Sequence, residues 1–194
     1  MKTKIVSFIL AIASVICLAS CGVSGAQKDE IKNAAAELIE KSYEINVIYF
    51  GEGLAASGND VVAHSEYEYV ADEAKFHTIE EVKTATAAVY SSDYCNDYLF
   101  LLGFEGLKTS DDATVSYPKY LEDTKGKLTV RKSVKEDAIA LNRTYDYDSI
   151  KVESYVRGLA TITVQSFVDG EKDEKITLTL VKEAEGWRLN SPTY

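Results

Sequence analysis

The sequence predicts an α+β domain in which N-terminal helices pack on an antiparallel, strongly twisted β-sheet formed mainly by the C-terminal half. Three observations predict it. Apolar residues recur at a helical period between Lys28 and Tyr49, apolar and polar side chains alternate in the long segments after Ser149, and an Asp169-Gly170 turn separates two of those segments. Helices first and hairpins afterwards place the helices on one face of an antiparallel sheet.

The first twenty residues stand apart from that domain. Lys2 and Lys4 precede the apolar run from Ile5 to Ile16 with no acid among them, the layout of an export signal. Leu18-Ala19-Ser20-Cys21 closes the segment as a lipoprotein signal-peptidase box. Leu18, Ala19 and Ser20 are therefore the expected recognition residues, and Cys21 the expected N-terminus, carrying palmitate-type lipid chains. Two or more chains make a stable anchor, and no later apolar run is long enough to span a bilayer. The expected divisions are a signal peptide over 1–20, lipidated Cys21 with a short tether over 21–27, and a single domain over 28–194. That domain is expected on the extracytoplasmic face of a bacterial cell membrane, held there by Cys21.

The remaining elements follow in chain order. Ile31, Ala34, Ala35, Leu38, Ile39, Ser42, Ile45 and Tyr49 form one face of the first helix, after a flexible spacer from Gly22 to Ala26. Gly51, Gly53 and the run Ala55 to Asp60 read as a loop. Glu66 to Val70 alternates as a strand. Thr78-Ile79-Glu80-Glu81 is a capping box that opens a helix to about Tyr90. Asp93 to Leu102 reads as a short helix ending at Gly103. Tyr117 to Glu122 and Lys127 to Arg131 read as strands about a turn at Asp123 to Gly126. Ser133-Val134-Lys135-Glu136 reads as a second capping box, opening a short helix. Ser149 to Val156, Ala160 to Phe167, Lys175 to Lys182 and Trp187 to Leu189 complete the sheet.

Charge narrows the partners. The chain has 21 basic and 31 acidic side chains. Loss of residues 1–20 removes Lys2 and Lys4 only, which leaves 19 against 31, a formal balance of −12. Nucleic-acid phosphates would be repelled by such a surface. Cys17 leaves with the signal and Cys21 takes lipid, so Cys95 is the remaining thiol and an intrachain disulfide has no second partner.

The residues that could carry chemistry are few. His64 and His77 are the two histidines, without the spacing of a zinc motif. Cys95 lies among Tyr94, Asn96, Asp97 and Tyr98, where acids disfavour a thiolate; a half-buried structural cysteine is expected. Asp146-Tyr147-Asp148 and Asp169 to Glu174 lack the ordered oxygen spacing of a calcium loop and read as solvated turns. No catalytic residue, metal or cofactor is expected. Tyrosine is abundant, with 13 against 6 phenylalanines. Tyr67, Tyr69, Tyr117, Tyr120, Tyr145 and Tyr147 fall on predicted strands and loops, where amphipathic rings either line a binding surface or simply tile a half-wet sheet.

Tyr117-Pro118-Lys119-Tyr120-Leu121-Glu122, followed by Gly126-Lys127-Leu128-Thr129-Val130, resembles a hairpin of the bacterial DL-endopeptidase inhibitor (IseA-like) family of cell-wall proteins. The closing Gly186-Trp187-Arg188-Leu189-Asn190-Ser191-Pro192-Thr193-Tyr194 is similar to endings there and in small exported NTF2-like lipoproteins. Thr129 departs from that hairpin, which more often carries an aromatic or small residue at the position, and lipidation is a second departure. The resemblance implies a non-catalytic role: binding a peptidoglycan DL-endopeptidase outside the cell and restraining wall cleavage. No inhibitory residue is carried over by motif. The alternative is a small-ligand or glycan-binding NTF2-like module working through a concave sheet.

Overall fold

The computed structural model describes residues 23–61, 64–108 and 114–194. The expected α+β class is what it shows: an N-terminal helix with antiparallel sheets, most strands lying in the C-terminal half. The expected signal peptide and the expected signal-peptidase box, Leu18 to Cys21, lie outside the described residues.

Helix α1 runs Gly25–Tyr49, and Ser24 caps it by accepting the Gln27 amide on its hydroxyl. The cap lies inside the stretch expected to be a spacer, so the helix starts three residues earlier than its apolar repeat. Its buried face is that repeat, with Asn46 and Ile48 added and Ala34 only half-buried.

Strands β1 (Ala56–Val61) and β2 (His64–Val70) come next. The run expected as a loop is thus an edge strand; it is exposed from Ala56 to Asp60 and shows no apolar alternation to reveal it. Helix α2 (Ile79–Ala87) carries the predicted capping box in full: the Thr78 hydroxyl accepts the Glu81 amide at 3.2 Å, and the Glu81 carboxylate accepts the Thr78 amide at 3.2 Å. Helix α3 (Ser92–Tyr94) continues through two wide, π-helical stretches, Cys95–Leu99 and Leu101–Glu105. The stop is at Gly106, with φ of +81°, not at Gly103. Gly103 has another reason to be glycine, since a Cβ there would come within 2.7 Å of the Tyr49 ring.

After the short pair β3 (Leu107–Lys108) and β4 (Thr114–Ser116), strands β5 (Tyr120–Glu122) and β6 (Leu128–Arg131) form the expected hairpin, with Tyr120 opposite Val130. Asp123 shapes its turn by accepting the Lys125 and Lys127 amides. The second capping box does not form. Lys132–Val134 is one 3-10 turn, and the Ser133 hydroxyl bonds the Asp137 carboxylate instead of a helix-end amide.

Strands β7 (Arg143–Val156), β8 (Leu159–Val168), β9 (Glu171–Glu183) and β10 (Gly186–Leu189) are longer than predicted and pair in the order β10-β9-β8-β7. Asp169 and Gly170, with φ of +53° and +80°, make the two-residue turn that matches strand twist. The other strands form a separate sheet, ordered β1-β2-β6-β5. The single predicted sheet is therefore two four-stranded sheets plus the β3–β4 pair. One core joins them. Ile31, Ile39 and Ile48 of α1, Val130 and Tyr120 of the first sheet, and Ile162, Val164, Leu178 and Leu180 of the second pack together.

Candidate functional site: a cleft and an aromatic–cationic sheet face

A cleft of about 880 Å³ opens where α1 ends, within the size range of ligand-binding clefts. Its walls are Val47, Leu54, Val130, Val134, Ile139 and Leu141. Val47 and Ile139, 41% and 48% exposed, present apolar surface to solvent. Glu52, Glu68, Lys132 and Lys135 put both signs of charge around them. Asp60 holds the Lys132 ammonium at 2.7 Å and raises its pKa through that hydrogen bond.

The cleft wall is rigid for a local reason. Gly53 takes φ of +77° and its amide donates to the Val47 carbonyl at 3.0 Å. A side chain there would come within 2.8 Å of both the Tyr120 hydroxyl and Val134. The same hydroxyl donates to the Ile48 carbonyl at 2.9 Å and accepts the Leu54 amide at 3.1 Å, so the chain leaving α1 is pinned on both sides of the bend. On the opposite wall the Ile139 amide donates to the Phe50 carbonyl.

The other face of the first sheet has a different character. Side chains alternate across a strand, so the cross-strand row Glu68–Val130–Tyr120 faces core and cleft. The rows on either side lie on the opposite face, where Tyr67, Thr129 and Lys119 are nevertheless buried: Tyr69–Thr129–Leu121, and Tyr67–Arg131–Lys119. The second row is extended by the Arg131 amide, which donates to the Lys119 carbonyl at 2.8 Å. Lys127 lies over the Tyr69 ring at 5.7 Å. Lys119 is 7% exposed; burial first, and then the neighbouring Arg131 charge, lowers its ammonium pKa against an opposing effect from Asp137. Arg131 reaches Asp137 at 3.5 Å, while its Nε is buried without a partner, as is the Ser116 hydroxyl.

The six tyrosines singled out in the sequence are not brought onto one surface. Tyr67, Tyr120 and Tyr145 are buried, with hydroxyls donating to Pro118, Ile48 and Thr193 carbonyls. Tyr69 is half-buried and donates to Asp123 at 3.2 Å. Tyr117 is 66% exposed, and Tyr147 lies at the surface beside Tyr145. Tyr67 and Tyr69 share one face of the first sheet, with Tyr117 near Tyr67; the other three serve elsewhere.

Cys95 is fully buried, not half-buried. Its thiol lies 3.6 Å from the Tyr90 carbonyl, and burial pushes its pKa up to about 12. His64 and His77 are exposed, and the charges that act on the thiol are Glu183 and Arg188. Among the described residues no group of three His, Cys, Asp or Glu is placed to hold a metal ion. No described helix is long and apolar enough to cross a membrane. Asp146 accepts the Asp148 amide within its own turn, and Asp173 of β9 pairs across the sheet with Arg143 of β7 at 2.8 Å.

Two arrangements have no single-residue signature in the sequence. The first is the Lys119–Arg131 pair. The second is a buried polar cluster at the chain's end, where the Thr193 hydroxyl lies 2.6 Å from Ser42, 2.9 Å from the Asn46 amide and 3.2 Å from the Tyr90 hydroxyl. Tyr194 then stacks on Phe50 at 4.0 Å between centroids. The face of the second sheet under α1 is filled, with Ala160, Ile162, Val164, Leu178 and Leu180 wholly buried. Comparison with known proteins returns no matching family model, no matching curated protein and no matching solved structure.

Proposed function

We propose that the chain is a lipid-anchored, extracytoplasmic, non-catalytic binding protein that restrains a peptidoglycan DL-endopeptidase by occlusion. One observation carries the reading furthest: the cleft is built at the C-terminal end of α1, the end remote from Cys21. The helix has 25 residues, which at 1.5 Å per residue is about 37 Å. A protein anchored at Cys21 would thus present its open, apolar-walled cleft away from the bilayer, toward the wall. Exposed Val47 and Ile139 inside a ring of mixed charge are what a protein-docking patch with a polar rim requires. The hairpin and C-terminal resemblance supplies the identity of the partner.

The test is peptidoglycan digestion by a DL-endopeptidase with and without the mature chain, residues 21–194. Saturating protein is expected to slow release of wall peptides several-fold. Ile139→Asp, at an exposed position on the cleft wall, is expected to relieve that inhibition without unfolding the chain. Digestion unchanged at saturating protein would remove the inhibitory role.

A further inference from the structure

Lys119 and Arg131 are an unusual pair. They lie opposite each other on neighbouring antiparallel strands, the Arg131 amide donating to the Lys119 carbonyl at 2.8 Å, so both side chains leave the same face. Like charges so placed repel, and burial makes unpaired charge costly. Yet Lys119 is 7% exposed and has no hydrogen-bond or ion-pair partner among the described residues, and Arg131 Nε is buried without an acceptor. The nearby carboxylate, Asp137, stands 3.5 Å from Nη2, the nitrogen beside Nε, and is shared with the Ser133 hydroxyl. In a chain whose formal charge is −10, these two cations share a single hydrogen-bonded carboxylate among the described residues. Tyr67 shares their row, and the exposed Tyr117 is near enough to help raise the Tyr67 pKa, after burial and against Arg131.

We infer that Lys119 and Arg131 form a binding niche for a peptide carboxylate, with Tyr117 as the aromatic wall against which the rest of the ligand packs. Charge counting selects the ligand. Among the described residues, the two cations and the Asp137 they share leave one net positive charge, which a monoanion neutralises and a phosphate dianion exceeds. The Nε–H, on the same guanidinium edge as the Nη2 that Asp137 approaches at 3.5 Å, is left free to donate to one oxygen of a planar carboxylate. The inference stands whether or not the chain restrains a wall hydrolase. The carboxylate belongs either to an acidic side chain or to a peptide's C-terminus, and the chemistry of recognition is the same.

The experiment titrates residues 21–194 with acetyl-Ala-Glu-amide, acetyl-Ala-Ala free acid, acetyl-Ala-Gln-amide and inorganic phosphate, following the melting midpoint and Lys119 Nζ by NMR. At least one carboxylate peptide is expected to raise the midpoint by about 2–4 °C at saturation and to shift the Nζ signal, with the glutamine peptide inert. Which carboxylate acts identifies its source. Lys119→Met is expected to abolish the response and, by relieving repulsion, to raise the midpoint of the free protein. Tyr117→Ala, at an exposed position, is expected to keep the fold and weaken binding at least threefold. No response to either carboxylate would overturn the inference, as would phosphate binding more tightly than both. So would a Lys119→Met protein that melts lower yet keeps the full carboxylate response, since the lysine would then be structural.

Discussion

The hydroxyl of Tyr120 ties the end of α1 to the chain beyond its bend, accepting the Leu54 amide and donating to the Ile48 carbonyl. Its removal strands a half-buried donor and a buried acceptor, a loss of about 1–3 kcal/mol. Tyr120→Phe is therefore expected to lower the urea midpoint clearly, while Tyr117→Ala, three residues away and exposed, should change stability by less than about 0.5 kcal/mol. Equal effects in paired urea melts would contradict this division of labour. Nothing in the local sequence separates these two tyrosines. Both sit in Tyr117-Pro118-Lys119-Tyr120, both suit a strand, and only the pairing of Tyr120 with Val130 turns its ring to the core. The Lys119–Arg131 pair was illegible for the same reason: two cations twelve positions apart become neighbours only through register.

Among the elements, the two predicted capping boxes form an internal control. Thr78 and Glu81 satisfy each other's amides, and α2 follows. Ser133 and Glu136 have the same spacing, but the Ser133 hydroxyl is occupied by Asp137 and Arg131 is still paired to Lys119 just upstream, so a strand continues almost to the turn. Pattern fixes a helix start only where the preceding chain is free to bend away. Thr78→Ala is expected to destabilise the protein by about 0.5–2 kcal/mol, whereas Ser133→Ala, removing one exposed bond, should be nearly silent; calorimetry on the two variants distinguishes them. The long hairpins after Arg143 were legible because alternation and Asp169-Gly170 agree. Strand β1 was not, because an exposed edge carries no apolar face.

At the scale of the whole molecule, the core is rich in phenols held neutral by burial. Tyr90 is pushed up to about 12, and Tyr49, Tyr120 and Tyr145 are raised in the same direction, chiefly by desolvation; Cys95 follows them. A group whose pKa is raised by folding favours the folded state fully below its unfolded value and loses that contribution as pH rises through the folded one. Stability should accordingly hold up to about pH 9, near the unfolded thiol and phenol values, and fall steeply between there and about pH 12. Tyrosinate absorbance should lag behind that of the urea-unfolded chain over this window. Coincident titrations would show that the phenols are wetter than their burial indicates.

Helix α1 has one further consequence through its cap. Ser24 begins the rigid body three positions after Cys21, so a lipid at Cys21 would leave almost no slack between bilayer and fold. The helix would then act as a height gauge, carrying its cleft at a nearly constant distance above the lipid. Search for a partner would become a two-dimensional problem, confined to a thin layer of the envelope whose altitude is set by the number of turns in α1.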